Sequence, residues 1–191
     1  LHSIFIRRMW EMGAVTFTLP LIFPICHQKT EARQMQIQDQ LETIRQHQNQ
    51  APVPVVATAR ALGLEVYEAT KWPDELSGMI KKSTRAEGGF RITINANHPK
   101  VRRRFMVAHE IAHAILHPDM IGDGITDDPM WRSGLPDSVE YQANRMAADI
   151  LMPEHLVREH FKVTKDPAAL ARLFEVSNKS MTIRLERLRL E

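Results

Sequence analysis

The sequence predicts an α+β fold, and three observations carry the prediction. Phe90, Ile92 and Ile94 alternate with Arg91 and Thr93, the period-two pattern of a half-buried strand. Val101, Phe105, Ala108, Ala112 and Ile115 then recur every three or four residues, as the apolar face of a helix does. A further helical pattern, SVEYQANRMAADILM, ends just before Pro153. The chain of 191 residues, 43% hydrophobic and 25% charged, is long enough to bury a core of its own, and its net charge of +2 is too small to imply a nucleic-acid partner. Cys26 is the single cysteine, so the fold does not rest on an internal disulfide and suits a reducing, cytoplasmic setting.

Taken in order, the chain divides into an N-terminal extension over residues 1–50, a compact α+β domain over 51–163 and a helical pair over 164–191. In the extension, Arg7 and Arg8 precede an apolar run, MGAVTFTLPLIFPIC, with the charge order of a signal peptide but two prolines and no small-residue cleavage site. The run is shorter than the ~20 residues a membrane span needs, so no membrane partner is expected. Leu1 opens the chain and Met12 and Met35 offer later starts, so this segment reads as an extension or as an over-extended frame. MQIQDQLETIRQHQNQ follows, a solvated helix with Ile37, Leu41 and Ile44 at helical spacing.

VPVVATARALGLEVY reads as a short helix with Val56, Ala59 and Leu62 on its apolar side, stopped by Gly63, and then a strand over Leu64–Tyr67. GMIKKS and FRITIN flank RAEGG and form a hairpin. After the long helix, PDMIGDGITDDPMWRSGLPDS shows no period and is a loop, either a lid or a surface insertion. PEHLVREHF, DPAALARLFEV and NKSMTIRLERLRL are helical, with a turn near Ser177.

The chemistry concentrates in VAHEIAHAILH, Val107–His117. Residues four apart on a helix share a face, separated by about 6 Å of rise, so His109 and His113 can aim two imidazoles at one ion. Glu110, one position around the helix, is better placed as a base than as a ligand. His117 lies about 12 Å along the axis from His109, too far for both to reach an ion whose bonds are about 2 Å long, and reads as a helix-end or outer supporting group. Glu140 is the better third ligand. In EYQAN it is followed one turn later by Asn144, placed to hydrogen-bond a ligand histidine and fix its orientation. Asp137 with Glu140 also fits a capping box that would consume the same carboxylate.

RRFMVAHEIAHAILH, EYQANRMAADILMP and LARLFEVSNKSMTIRLERL together resemble the ImmA/IrrE family of metallopeptidases, from roughly Ala51 to the C-terminus. The resemblance implies a zincin-like domain whose small sheet packs on the active-site helix, with a C-terminal helix-turn-helix-like subdomain. It also implies Zn2+ held by His109, His113 and Glu140, with Mn2+ or Fe2+ as alternatives, and Glu110 as the catalytic acid and base. The implied activity is a cytoplasmic zinc endopeptidase that cleaves a helix-turn-helix, Xre-like repressor and so derepresses mobile-element or stress genes. Residues 1–50 have no counterpart in that pattern.

Two other functions compete: a DNA-binding regulator whose metal is structural or sensory, and a non-catalytic partner in a toxin-antitoxin module. Lys179, Arg184, Arg187 and Arg189 offer charge for phosphates, but Glu175 stands where the turn glycine is expected and Glu186 and Glu191 offset the charge. A packing role is favoured there, and direct DNA binding is the lesser alternative. Arg102–Arg104 read as a solvated basic face. An exposed edge at the RITIN strand would suit an extended substrate. His98, His117, Tyr141 and Arg145 are the candidates for stabilising an oxyanion.

Overall fold

The alternation in FRITIN builds the middle of a small sheet in the computed structural model, which describes residues 23–122, 125–126 and 136–190. Gln36–Glu191 form one compact unit. Leu1–Met35 form the other, whose described residues, 23–35, are the first part of helix α1 (Phe23–Gln46). Arg7, Arg8 and the apolar run up to residue 22 lie outside the described residues, as does most of the 118–138 loop. No helix among the described residues is long and apolar enough to cross a membrane.

Helix α2 (Val55–Ala61) leads into β1 (Glu65–Ala69), followed by β2 (Gly78–Lys82) and β3 (Phe90–Asn95). A short β4 (Ile125–Thr126) completes the strand order β1-β3-β2-β4. The predicted hairpin is formed, β2 and β3 pairing antiparallel with Ile80 opposite Ile92. β1 pairs with β3 in parallel, Val66 opposite Ile92. Strand β3 is therefore enclosed on both sides, and the expectation of an open edge at RITIN is overturned. Ile80, Ile92 and Ile94 turn inward and are buried. On β1 and β3, Glu65 accepts from Arg91 at 2.8 Å and from Ser83, and the guanidinium holds its carboxyl below the usual carboxylate range. Between α2 and β1, Gly63 adopts φ 74°, and a Cβ there would meet Gly88 N at 2.6 Å. Only glycine satisfies both conditions.

The α2 face is rotated from expectation. Val55, Thr58 and Ala59 are its buried residues while Val56 is exposed, and the buried Thr58 hydroxyl is satisfied by donating to the Pro54 carbonyl. Helix α1 also departs from the solvated helix expected of it: Ile44 is buried in the core, with Ile37 and Leu41 packed against it. Just beyond α1, the Gln48 amide donates to the Asp149 and Ile150 carbonyls.

Helix α3 (Lys100–Leu116) runs against β2 and β3 and packs on α4 (Asp137–Leu151). Every residue from Met106 to Ile115 is buried, so this stretch is enclosed on all sides. Its first turns are held by the arginines read as a solvated face. Arg102 donates to Ser77, Arg103 pairs with Glu68 at 2.8 Å, and Arg104 donates to the Val53 carbonyl. Three long side chains thus anchor α3 to neighbouring segments.

Helices α5 (Glu154–Phe161), α6 (Pro167–Phe174) and α7 (Asn178–Leu188) complete the unit. Asp166 caps α6 by accepting from Ala168 and Ala169 N–H, and Ser177 caps α7 by accepting from Ser180 N–H. Leu170, Phe174, Met181 and Leu185 share one core with Ile111 and Ile115 of α3. Between α6 and α7, Glu175 takes the left-handed conformation at φ 52° and turns its carboxylate to Lys100 at 2.6 Å and Arg104 at 3.5 Å. Those ion pairs account for a glutamate where glycine was expected. Arg184 is buried, its Nε donating to the Met152 carbonyl at 2.9 Å and its Nη1 pairing with Asp149. It is a packing residue and presents no charge to a phosphate.

Candidate metal centre

Two helices build the site. His109 and His113 sit four apart on α3, and Glu140 and Asn144 sit four apart on α4, so each pair occupies one face of its helix. Ala108, Ala112, Ala143 and Ala147 are fully buried, and small side chains on both helices let the two backbones come together. Helix α4 starts after Pro136 with no side-chain hydrogen bond capping it, so the capping box expected of Asp137 and Glu140 is not formed. Pro136 instead precedes the helix in an extended conformation, φ −57° and ψ 143°.

One ligand atom from each of His109, His113 and Glu140 falls within a group spanning at most 4.8 Å. His113 Nε2 stands 3.0 Å from His109 Nε2, and the Glu140 carboxylate oxygens stand 3.4 Å from His109 Nε2 and 3.5 Å from His113 Nε2. A tetrahedron with bonds of about 2.0–2.1 Å has edges of about 3.4 Å, so this donor triangle suits a divalent ion such as zinc. Two imidazoles and a carboxylate also suit manganese or iron. The imidazoles are buried, while Glu140 is about 29% exposed.

The remaining predicted residues take distinct places. Asn144 Oδ1 is 3.2 Å from His109 Nδ1, so the nitrogen facing away from the triangle has an acceptor. Glu110 is fully buried, and β2 passes over it: a Cβ at Gly78 would stand 3.0 Å from Glu110 Oε1, tighter than ordinary contact. Gly78 was missed from sequence, although a glycine opening a strand signals close approach by another group. Gln142 was also missed. It receives His117, whose Nε2 is 3.2 Å from Gln142 Oε1 and whose Nδ1 is 3.3 Å from His113 Nδ1. Those contacts engage both ring nitrogens of His117, and the His98 ring is tied to the Asp74 carbonyl at 2.8 Å.

Burial, followed by the neighbouring His109, lowers the His113 pKa from 6.5 to about 4, with Glu140 opposing the shift and His117 adding to it. His113 is therefore neutral near pH 7, with a lone pair to offer a cation. The same shift makes metal-free stability depend on pH. Between 6.5 and about 4 the unfolded chain binds more protons at this residue than the folded one. The contribution is complete above 6.5 and is lost as acidity passes through about 4, each pKa unit being worth about 1.4 kcal/mol. Thermal melts of the metal-free protein should fall over this window, and more steeply than those of His113→Asn. Parallel curves would contradict the assignment.

The family model described as Peptidase M78, IrrE N-terminal-like domain, matches residues 62–186, about two thirds of the chain. The chain belongs to this family. The IrrE N-terminal-like match encloses both site helices and extends into α7, beginning later than the Ala51 expected from the resemblance. Membership marks the chain as a metallopeptidase with a metal cofactor, and the His109, His113 and Glu140 triangle lies within the matched span. No curated protein matches the chain.

Proposed function

We propose that this protein is a zinc-dependent endopeptidase of the cytoplasm that cuts a helix-turn-helix, Xre-like repressor. The observation that carries the hydrolase reading is the convergence of His109, His113 and Glu140 beside a buried Glu110. A purely structural site has no need of an acid next to its ligand. In this reading His109, His113 and Glu140 hold the ion, which when bound supplies Lewis acidity to water and to the scissile carbonyl. Asn144 orients the His109 ring. Glu110 takes a proton from the attacking water at its carboxylate and delivers it to the leaving amine nitrogen.

Support for the repressor as substrate comes from the likeness of the three quoted segments to the ImmA/IrrE pattern. The DNA-binding alternative is weakened by Arg184, whose charge is spent on Asp149 and the Met152 carbonyl. Incubating the zinc-loaded protein with an Xre-like helix-turn-helix repressor should give two fragments by mass spectrometry, and a chelator should prevent this. An intact repressor, together with salt-sensitive binding of the protein to duplex DNA, would favour the regulator reading.

A further inference from the structure

We infer that His117 and Gln142 fix the tautomer of His113, forming a hydrogen-bonded relay that leaves the Nε2 lone pair of His113 aimed into the donor triangle. The inference rests on the reading of His109, His113 and Glu140 as metal ligands and adds two positioning residues to it.

The proton order follows from what each atom can do. Gln142 Oε1 only accepts, so His117 Nε2, 3.2 Å away, carries a hydrogen. A neutral imidazole has one N–H, which leaves His117 Nδ1 a bare acceptor. His113 Nδ1 stands 3.3 Å from it, and two bare nitrogens cannot bond, so the hydrogen there belongs to His113. His113 Nε2 is then bare, and it is the nitrogen that faces Glu140 at 3.5 Å. The opposite order, with His117 Nδ1–H donating, would put the His113 hydrogen on Nε2 and block coordination. With an ion bound, His109 reaches the same state through Asn144 Oδ1, 3.2 Å from its Nδ1; in the metal-free chain the 3.0 Å contact between the two Nε2 atoms takes its hydrogen from His109.

Gln142 and Asn144 thus do equivalent work from one helix. Asn144 acts directly, whereas Gln142 acts through a buried third histidine one turn beyond His113. This assigns His117 a role that does not need it to touch the ion. It also separates the relay from the oxyanion candidates, since neither ring nitrogen of His117 is left for substrate. Gln142 is an exposed side chain, so its replacement tests the relay without disturbing the core.

The test is histidine-selective 15N NMR on the metal-free full chain at about pH 8, where ordinary imidazoles are neutral, combined with zinc affinity by competition against a chromophoric chelator. In the wild-type protein His113 should carry its hydrogen on Nδ1 and His117 on Nε2. Gln142→Met, and separately His117→Phe, should shift His113 toward the Nε2–H form and weaken zinc binding about tenfold, as loss of a ligand's supporting partner does. If His117→Phe fails to fold, Gln142→Met decides alone. A wild-type His113 protonated on Nε2, or unchanged tautomer and affinity in Gln142→Met, would overturn the relay. Failure of the metal reading is distinct: the wild-type protein would then bind no zinc while its tautomers remained as stated.

Discussion

Glu110→Gln is expected to lower peptide-bond cleavage by at least about 10²–10⁴-fold, the range attributable to a positioned proton carrier, while metal content stays at the wild-type level. The substitution is nearly isosteric, so the space beneath Gly78 remains filled and Ile111 and Ala112 keep their burial. Only the capacity to accept a proton is removed. Glu110 stands outside the donor triangle of His109, His113 and Glu140, which is why binding and turnover should separate. The check is a paired measurement of cleavage rate and bound metal on the same preparation. Undiminished cleavage would place the base elsewhere, and parallel loss of metal would make Glu110 part of the binding site.

Glu140→Ala should act on the other quantity. Removing the only carboxylate in the triangle leaves two buried imidazoles, and zinc affinity should fall by more than the ~10–100-fold that loss of a supporting partner costs. Stability without metal should change little, because Glu140 is partly exposed and the start of α4 does not rely on a side-chain cap. Thermal melts distinguish these outcomes. Zinc in excess of its dissociation constant should raise the wild-type transition through binding to the folded state alone, and the variant should show no such rise at the same concentration. A variant that retains the rise would remove Glu140 from the ligand set.

Local periodicity made much of this molecule legible. FRITIN announced a half-buried strand because alternation maps directly onto the two faces of a sheet. His109 with His113, and Glu140 with Asn144, announced helical pairs because four residues make about one turn. The Glu140–Asn144 spacing, one residue to bind and one to orient a histidine, suggests the link between the two pairs, and the family pattern reinforces it. What escaped was set by partners remote in sequence. The parallel pairing of β1 with β3 encloses a strand whose own residues resemble an edge. Arg102–Arg104 resemble a charged face until Ser77, Glu68 and the Val53 carbonyl are brought to them.

Arg184 is the most instructive case, because its burial had a signal. It stands three residues after Met181 and one before Leu185, on the apolar side of α7, where a charge needs an internal partner. That partner is Asp149, 35 residues earlier on α4. Asp137 shows the reverse error. Its spacing to Glu140 matches a capping box, but Pro136 already directs the chain into the helix, and the carboxylate of Glu140 lies against the histidines.

Anomalous diffraction at the zinc edge, from crystals grown with equimolar zinc, would locate the ion itself. One dominant peak is expected, bonded to His109 Nε2, His113 Nε2 and a carboxylate oxygen of Glu140. A peak that leaves Glu140 outside bonding distance, or zinc bound only at other residues, would contradict the proposed metal centre.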